Sequence, residues 1–210
     1  MTEDFPTLAT DRLDLTSFGR ADLEARLAYQ GRTDVARYLY RAPLSLEACA
    51  TGIEKAEVSR LDGDGTFLLF AVRKRGDRRA MGEVILTAAD TGAAQMEIGW
   101  VFNPDDGGQG YATEAARAVV DFAFARAGAH RVFARLDTKN VRSVALCERL
   151  GFRREAHLVE NDRLPSGEWG SEFVYGALAE DLRQAPEHGD DVHSVDPPRQ
   201  AAGPAAAMSH

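Results

Sequence analysis

The stretch Gly107-Gly108-Gln109-Gly110-Tyr111-Ala112-Thr113-Glu114 has the residue types and spacing to hold an anion. Glycines let a backbone come close to a ligand and adopt positive φ. A strand-like stretch, Met96 to Phe102, precedes the loop and stops at Asn103-Pro104-Asp105-Asp106. A helix-like stretch from Ala112 to about Ala127 follows it. The first N–H groups of such a helix have no partner inside it. The helix dipole adds to their attraction for negative charge. A strand, a glycine turn and a helix start in that order predict a site for a coenzyme pyrophosphate.

Three loop patterns compete for that role. A Walker A loop ends in Gly-Lys-Ser/Thr, and there is no lysine between Lys74 and Lys139. A dinucleotide fingerprint needs G-x-G-x-x-G and an acidic strand end about 20 residues on. Gly108-Gln109-Gly110 supplies two of the glycines, Thr113 stands in place of the third, and Asp137 is somewhat late. The third pattern, Gln/Arg-x-x-Gly-x-Gly/Ala, is that of acetyl-CoA loops. Gly110-Tyr111-Ala112 fits its second half, and Gly107 replaces its leading Gln or Arg.

The elements that must carry this loop follow from the pattern of apolar residues. Thr10 to Thr16 alternates as a half-buried strand. Ser17 to Tyr29 has apolar residues at helical spacing, and Asp22 near its start complements the helix dipole. Thr33 to Tyr40 reads as a short helix or turn ended by Pro43, and Ser45 is a plausible N-cap for a helix to Leu61. Phe67 to Val72 is a continuous apolar run, hence a strand buried on both faces. Ala80 to Ala88 and Met96 to Phe102 are the next strands, the latter with Ile98, Trp100 and Phe102 on one face and Glu97, Gly99 and Val101 on the other. Arg131 to Asp137 is a strand, Asn140 to Leu150 a helix stopped by Gly151, and Phe152 to Val159 a strand. Glu160 to Gly170 reads as a polar loop, and Glu172 to Leu178 as the closing strand.

Composition narrows the class. Of 210 residues, 44% are hydrophobic and 28% charged, which is ordinary for a soluble globular protein, expected here to be cytoplasmic. No apolar run approaches the roughly 20 residues of a membrane span, and Met1-Thr2-Glu3-Asp4-Phe5 lacks the form of a signal peptide. Cys49 and Cys147 have no metal-ligand or disulfide spacing, so no metal is expected. The net charge of −8 argues against nucleic-acid binding. Nine Lys/Arg against four Asp/Glu between Gly107 and Arg154 make that stretch basic inside an acidic chain, which suits a ligand with several phosphates. Residues 1–9 read as a lead-in, 10–182 as one domain and 183–210, rich in Pro, Gly and Ala, as a disordered tail.

Four stretches together resemble the GNAT superfamily of N-acetyltransferases, and most of all its RimJ/RimL-type branch of ribosomal-protein N-acetyltransferases. They are Thr10-Asp11-Arg12-Leu13-Asp14-Leu15, Met96 to Pro104, Gly108 to Ala115, and Asn140-Val141-Arg142-Ser143 with Glu148-Arg149-Leu150-Gly151-Phe152. The resemblance implies an α+β fold: a mostly antiparallel sheet of six to seven strands, splayed at its centre and flanked by about four helices. It implies acetyl-CoA as donor, with the pantetheine arm in the gap between Met96–Phe102 and Arg131–Asp137. The backbone of Val101 and Phe102 would pair with that arm. The amides of Gly108, Gln109, Gly110, Tyr111, Ala112 and Thr113 would hold the pyrophosphate. Asn140 would contact the pantetheine or the glycine loop. It also implies an amine acceptor, a protein N-terminus or a small molecule, and a homodimer of the kind common in that branch.

For catalysis, the branch places a serine at the departing thiolate, and here that residue is Ser143. Many relatives use a tyrosine seven residues after the asparagine, where this chain has Cys147. Glu97, a carboxylate flanked by apolar residues on the strand lining the gap, is the choice for general base, with Glu160 second and His130 and His157 behind it. Tyr38, Tyr40 and Trp169 are candidates for the acceptor wall. Acetyl transfer would proceed by direct attack of the amine in a ternary complex. Loss of Gln/Arg at Gly107 and of the tyrosine at Cys147 leaves a second reading, a GNAT-like domain that binds CoA as a sensor without turnover.

Overall fold

The computed structural model describes residues 5–183 apart from Ser59. The expected tail, from residue 184 on, lies outside the described residues.

The described chain forms β1 (Leu8–Ala9), β2 (Leu13–Ser17), α1 (Leu23–Gln30), α2 (Thr33–Ala36), α3 (Leu46–Val58), β3 (Phe67–Lys74), β4 (Ala80–Asp90), β5 (Gln95–Phe102), α4 (Tyr111–Ala125), β6 (Arg131–Asp137), α5 (Val141–Leu150), β7 (Arg153–Arg163), β8 (Trp169–Leu178) and α6 (Ala179–Arg183). The strands make one sheet in the order β1-β2-β3-β4-β5-β6-β8-β7. All neighbours are antiparallel except β5 and β6. Among the described residues no helix is long and apolar enough to cross a membrane.

The apolar run of β3 is buried on both faces. Leu68, Phe70 and Val72 join the main core, and Leu69 and Ala71 face a smaller one. The main core lies between the sheet and α4, whose Ala115, Ala116, Val119, Val120 and Ala123 pack on Met96, Ile98, Val132 and Ala134. Small alanines on that stripe let α4 sit close to the strands, and close packing makes each buried methylene count, at about 0.8 kcal/mol.

On the other face, α1 is fixed by a carboxylate that the sequence pattern hides. Glu83 lies within the apolar run of β4 and accepts bonds from Arg26 Nε (2.8 Å) and Nη2 (3.1 Å), Tyr29 Oη (2.8 Å) and Gln30 Nε2 (2.7 Å). A Cβ on Gly52 would lie 2.4 Å from Arg26 Nη1, so glycine there makes room for the guanidinium.

The feature that makes a site is the parting of β5 from β6. The two pair only at Gln95–Arg131, Met96–Val132 and Glu97–Phe133. Beyond Glu97, β5 stays on β4 as far as Phe102 while β6 stays on β8 as far as Asp137. The sheet is therefore splayed at its centre, as expected, with eight strands rather than six or seven. The additional strand is β1, a two-residue pairing ahead of β2. Residues 160–170, expected as a loop, mostly extend that hairpin: β7 runs to Arg163 and β8 starts at Trp169. An irregularity between Leu158 and Asp162 absorbs the polar residues without ending the ladder.

Candidate active site

A cleft of about 770 Å³ opens where the strands part. The glycine loop, the exit of β5, the start of α5 and the α2 segment line it. Gly108, Gln109, Gly110, Tyr111, Ala112, Thr113, Asn140, Ser143, Val101 and Phe102 all lie on its walls.

The loop is built for positive φ at Gly108 (80°) and Gly110 (75°), the latter capping α4. Glu114 is the first residue of the helix whose N–H finds a carbonyl, that of Gly110 at 3.1 Å. Among the described residues, the N–H groups from Gly108 to Thr113 have no hydrogen-bond acceptor. Six unpaired donors at the positive end of a helix dipole are an anion cradle.

Arg12 secures the cradle from behind. Its Nη1 donates to the Gln109 carbonyl at 3.0 Å, and its Nε donates to Glu114 Oε2 at 2.6 Å. Because a trans peptide sets C=O and the following N–H in opposite directions, holding the Gln109 oxygen turns the Gly110 N–H away from Arg12. Glu114 also accepts from Thr10 Oγ1 at 2.5 Å and from the Arg12 N–H at 3.2 Å. Burial pulls the Glu114 carboxyl up, but these bonds outweigh it and hold it below the ordinary glutamate value. The Tyr111 ring carries the Arg12 guanidinium at 4.8 Å and the Lys74 ammonium at 5.3 Å.

Asp106 also lines the cleft, and a bare carboxylate there would repel phosphate. It is neutralised by Arg79, which donates to it at 2.7 and 2.9 Å and holds its carboxyl below the usual aspartate value, and by Lys74 at 3.6 Å. Gly107 has an explanation of its own. The short turn Pro104–Asp106 brings its backbone under Pro104, and a Cβ would stand 2.9 Å from the Pro104 oxygen. The turn, rather than the ligand, excludes a side chain at this position.

The two edges of β5 have different tasks. Asn103 N–H donates to Met81 O at 2.9 Å, across to β4. Alternation along an antiparallel ladder then turns the backbone groups of Val101 toward Glu83, its partner in register, and those of Trp100 and Phe102 toward the gap. Val101, expected to pair with a ligand, spends its backbone on β4; Trp100 was missed in its place. The reason is a one-residue phase: apolar alternation reports faces, not which edge a backbone group serves.

Asn140 caps α5, accepting from Ser143 N–H at 3.2 Å. Ser143 Oγ accepts from the Trp100 indole at 3.2 Å. Cys147, seven residues after Asn140, is fully buried, and burial pushes its thiol up to about 12. Arg142 and Arg149 line the α5 side and supply positive charge near the cradle.

Glu97 does not line the cleft. It is the last residue of β5 paired with β6, on the sheet face away from α4, and its carboxylate accepts from Arg135 Nε at 3.1 Å. Of the other candidates, Tyr38 lines the cleft. Trp169 is exposed beside Arg163. His157 packs on the Phe173 ring, and Glu160 sits exposed on the β7 irregularity. His130 lies in the turn before β6.

A splayed mixed sheet with an anion cradle at the mouth of α4 is built to hold a phosphate-bearing coenzyme whose arm runs along a free strand edge. The acetyltransferase (GNAT) domain model matches residues 12–153, and the chain belongs to that family, which draws acetyl groups from acetyl-CoA and passes them to amines. The uncharacterized N-acetyltransferase YnaD of Bacillus subtilis (strain 168) is 30% identical over 83% of this chain and 98% of its own length. The crystal structure of a GNAT-family acetyltransferase from Bacillus anthracis superposes with a TM-score of 0.74 at 28% identity, covering 83% of this chain and 99% of that one. RimJ of Mycobacterium smegmatis, solved in complex with CoA-disulfide, shares the fold with a TM-score of 0.73 at 19% identity, covering 87% of this chain and 90% of that one. The chain is thus an N-acetyltransferase.

Proposed function

We propose that residues 10–182 form a single catalytic domain of the RimJ/RimL type that transfers acetyl from acetyl-CoA to a primary amine by direct attack in a ternary complex. The observation that carries this is the row of unpaired N–H groups from Gly108 to Thr113, opening into the same cleft as the parted β5 and β6. The cradle holds the pyrophosphate. Trp100 and Phe102 offer their free backbone edge to the pantetheine arm as an added strand would, and one of their N–H groups polarises the thioester carbonyl. Asn140 fixes the arm where it passes α5.

The amine nitrogen forms a bond to the carbonyl carbon, the carbon–sulfur bond breaks, and the thiol leaves with a proton. Ser143 Oγ gives its proton to the departing sulfur and regains one from the nitrogen of the tetrahedral adduct, which sheds its second proton in becoming an amide. Glu97, the last residue of β5 paired with β6, takes the first proton, lost by the ammonium before attack; because its carboxylate lies outside the cleft beside Arg135, that transfer runs through water. Covalent catalysis by cysteine is disfavoured: both Cys49 and Cys147 are buried, and burial raises both thiols. The acceptor is a protein N-terminus or a small amine.

Calorimetry with CoA and with NAD, beside a thiol-release assay with acetyl-CoA and a panel of peptides and amines, tests this reading. CoA binding with amine-dependent thiol release is expected. NAD binding without CoA binding would overturn the coenzyme assignment. CoA binding without thiol release on any amine would overturn the transfer.

A further inference from the structure

Tyr40 is a bulky residue at φ 51°, in the left-handed region that such side chains rarely enter. Backbone strain of this kind persists only where surrounding contacts fix it. Here the contacts are plain. The Tyr40 hydroxyl donates to Asp137 Oδ2 at 2.8 Å and makes a longer bond to the Ser171 carbonyl at 3.3 Å. Its ring lies against the Cα of Gly170, where a Cβ would stand 2.3 Å from the ring. Gly170 is at the start of β8 and Asp137 at the end of β6, so the tyrosine reaches from the loop after α2 onto two strands.

Asp137 is 3% exposed and divides its two oxygens between different tasks. Oδ2 takes the Tyr40 hydroxyl; Oδ1 takes the Lys139 N–H at 2.7 Å. The Asp137 carbonyl takes the Asn140 N–H at 2.9 Å. This turn presents Asn140 and, through its cap, Ser143 to the coenzyme side of the cleft. The other end of the link, Tyr40, adjoins Tyr38 and Leu39, which line the cleft opposite. Burial and the Asp137 hydrogen bond push the Tyr40 phenol up, so the donor keeps its proton through the neutral range.

We infer that Tyr40 and Asp137 are positioning residues for the acceptor: the hydroxyl–carboxylate bond, seated on Gly170, holds the Asp34–Leu39 wall of the cleft at a fixed distance from the turn that carries Asn140 and Ser143. The inference rests on the N-acetyltransferase reading above. The wall's other side-chain ties lie at its two ends: Arg32 pairs with Asp34 at 2.9 Å and with Asp105 at 3.3 Å on an exposed surface, where such pairs hold weakly, and Arg41 bonds the Gln30 side chain. α2 is four residues long, and the segment after it is tied to its own helix by the Leu39 N–H to Ala36 O bond at 2.9 Å. Short segments of this kind open easily, so the bond from Tyr40 to a buried carboxylate ties the wall to β6, which none of its end contacts reaches. A looser wall leaves the coenzyme cradle intact, because Arg12, Glu114 and the glycine loop lie on other elements.

Two variants remove the link by unrelated means. Tyr40→Phe deletes the donor and keeps the ring; Gly170→Ala keeps the donor and displaces the ring. Both are read first by hydrogen exchange of the peptide spanning residues 33–41. Exchange at least about tenfold faster than wild type is expected in both, with peptides from β3 and α4 unchanged. They are then read by kinetics with n-butylamine and a short peptide with a free N-terminus as acceptors. The KM for the amine should rise about five- to tenfold while the Kd for CoA by calorimetry stays within about twofold. Unchanged exchange in Tyr40→Phe overturns the inference whether or not either amine turns over. Equal losses of amine and CoA affinity also overturn it, since they would mark general destabilisation. Lack of turnover by wild type, with faster exchange in both variants, would keep the link and overturn the transfer reading instead.

Discussion

The indole N–H of Trp100 donates to Ser143 Oγ at 3.2 Å, joining the free edge of β5 to the first turn of α5. A hydroxyl has one proton to give and two lone pairs to accept with. With the indole satisfied by one lone pair, the proton of Ser143 is free to turn into the cleft. Ser143→Ala should therefore lower kcat by about a hundredfold, the lower end of what a positioned proton donor contributes, with CoA affinity nearly unchanged. Trp100→Phe keeps the packing and loses only the orienting bond, so its kcat should fall less. Single-turnover rates beside CoA calorimetry check both; a Ser143→Ala enzyme with wild-type kcat removes the serine from the chemistry.

Gly107 makes the opposite argument, for a residue whose absence of side chain is dictated locally. Gly107→Gln restores the leading residue of the family's loop pattern, but its Cβ would meet the Pro104 oxygen at 2.9 Å. The Pro104–Asp106 turn must shift, and with it the Asp106–Arg79 pair. The variant is expected to lose about 1–2 kcal/mol of stability and to gain no CoA affinity. Urea midpoints and calorimetry check it. Tighter CoA binding at unchanged stability would show that the loop lacks a side chain it has room for.

Glu97 links sequence and geometry less directly. If it takes the proton of the attacking ammonium, Glu97→Gln should lower kcat well beyond any change in CoA affinity. The deficit should then narrow as pH rises, because a growing fraction of the amine is already neutral and needs no base. The pH profile of kcat with a single amine checks this. A deficit that stays constant up to the amine's own pKa would assign Glu97 to its Arg135 pair instead.

How much of this was legible in the chain depends on what each pattern measures. The β6 bounds follow directly from the alternation of Arg131 to Asp137, and the two buried faces of β3 from its unbroken apolar run. The cradle was legible because glycines and a helix start are local. Both strands of the β7–β8 hairpin were legible, but its far end was not, since Glu160, Asn161 and Asp162 read as loop while the ladder resumes at Asp162. Glu83 was hidden inside an apolar run; its reason lies 57 residues away in Arg26. Tyr40 could be suspected of walling the cleft, but its tie to Asp137 spans 97 residues and leaves no local signature.

Glu114 extends the argument to acid stability. Its carboxyl is held below the ordinary 4.5 by Thr10 and Arg12 despite burial. A group whose folded value is depressed contributes stability that is fully present above its unfolded value and is lost as pH falls through the folded one. The stability gap between wild type and Glu114→Gln should thus be constant from neutral pH down to about 4.5 and close below it. Its size is modest, about 1 kcal/mol, because the Arg12 partner is half-exposed and water screens the pair. Arg12 also holds the Gln109 carbonyl, so losing its anchor should loosen the cradle and weaken CoA binding several-fold at neutral pH. Urea midpoints at pH 7 and at about pH 3.5, with CoA calorimetry at pH 7, check the two consequences together. A gap that widens on acidification would mean that Glu114 is not the carboxylate holding the loop.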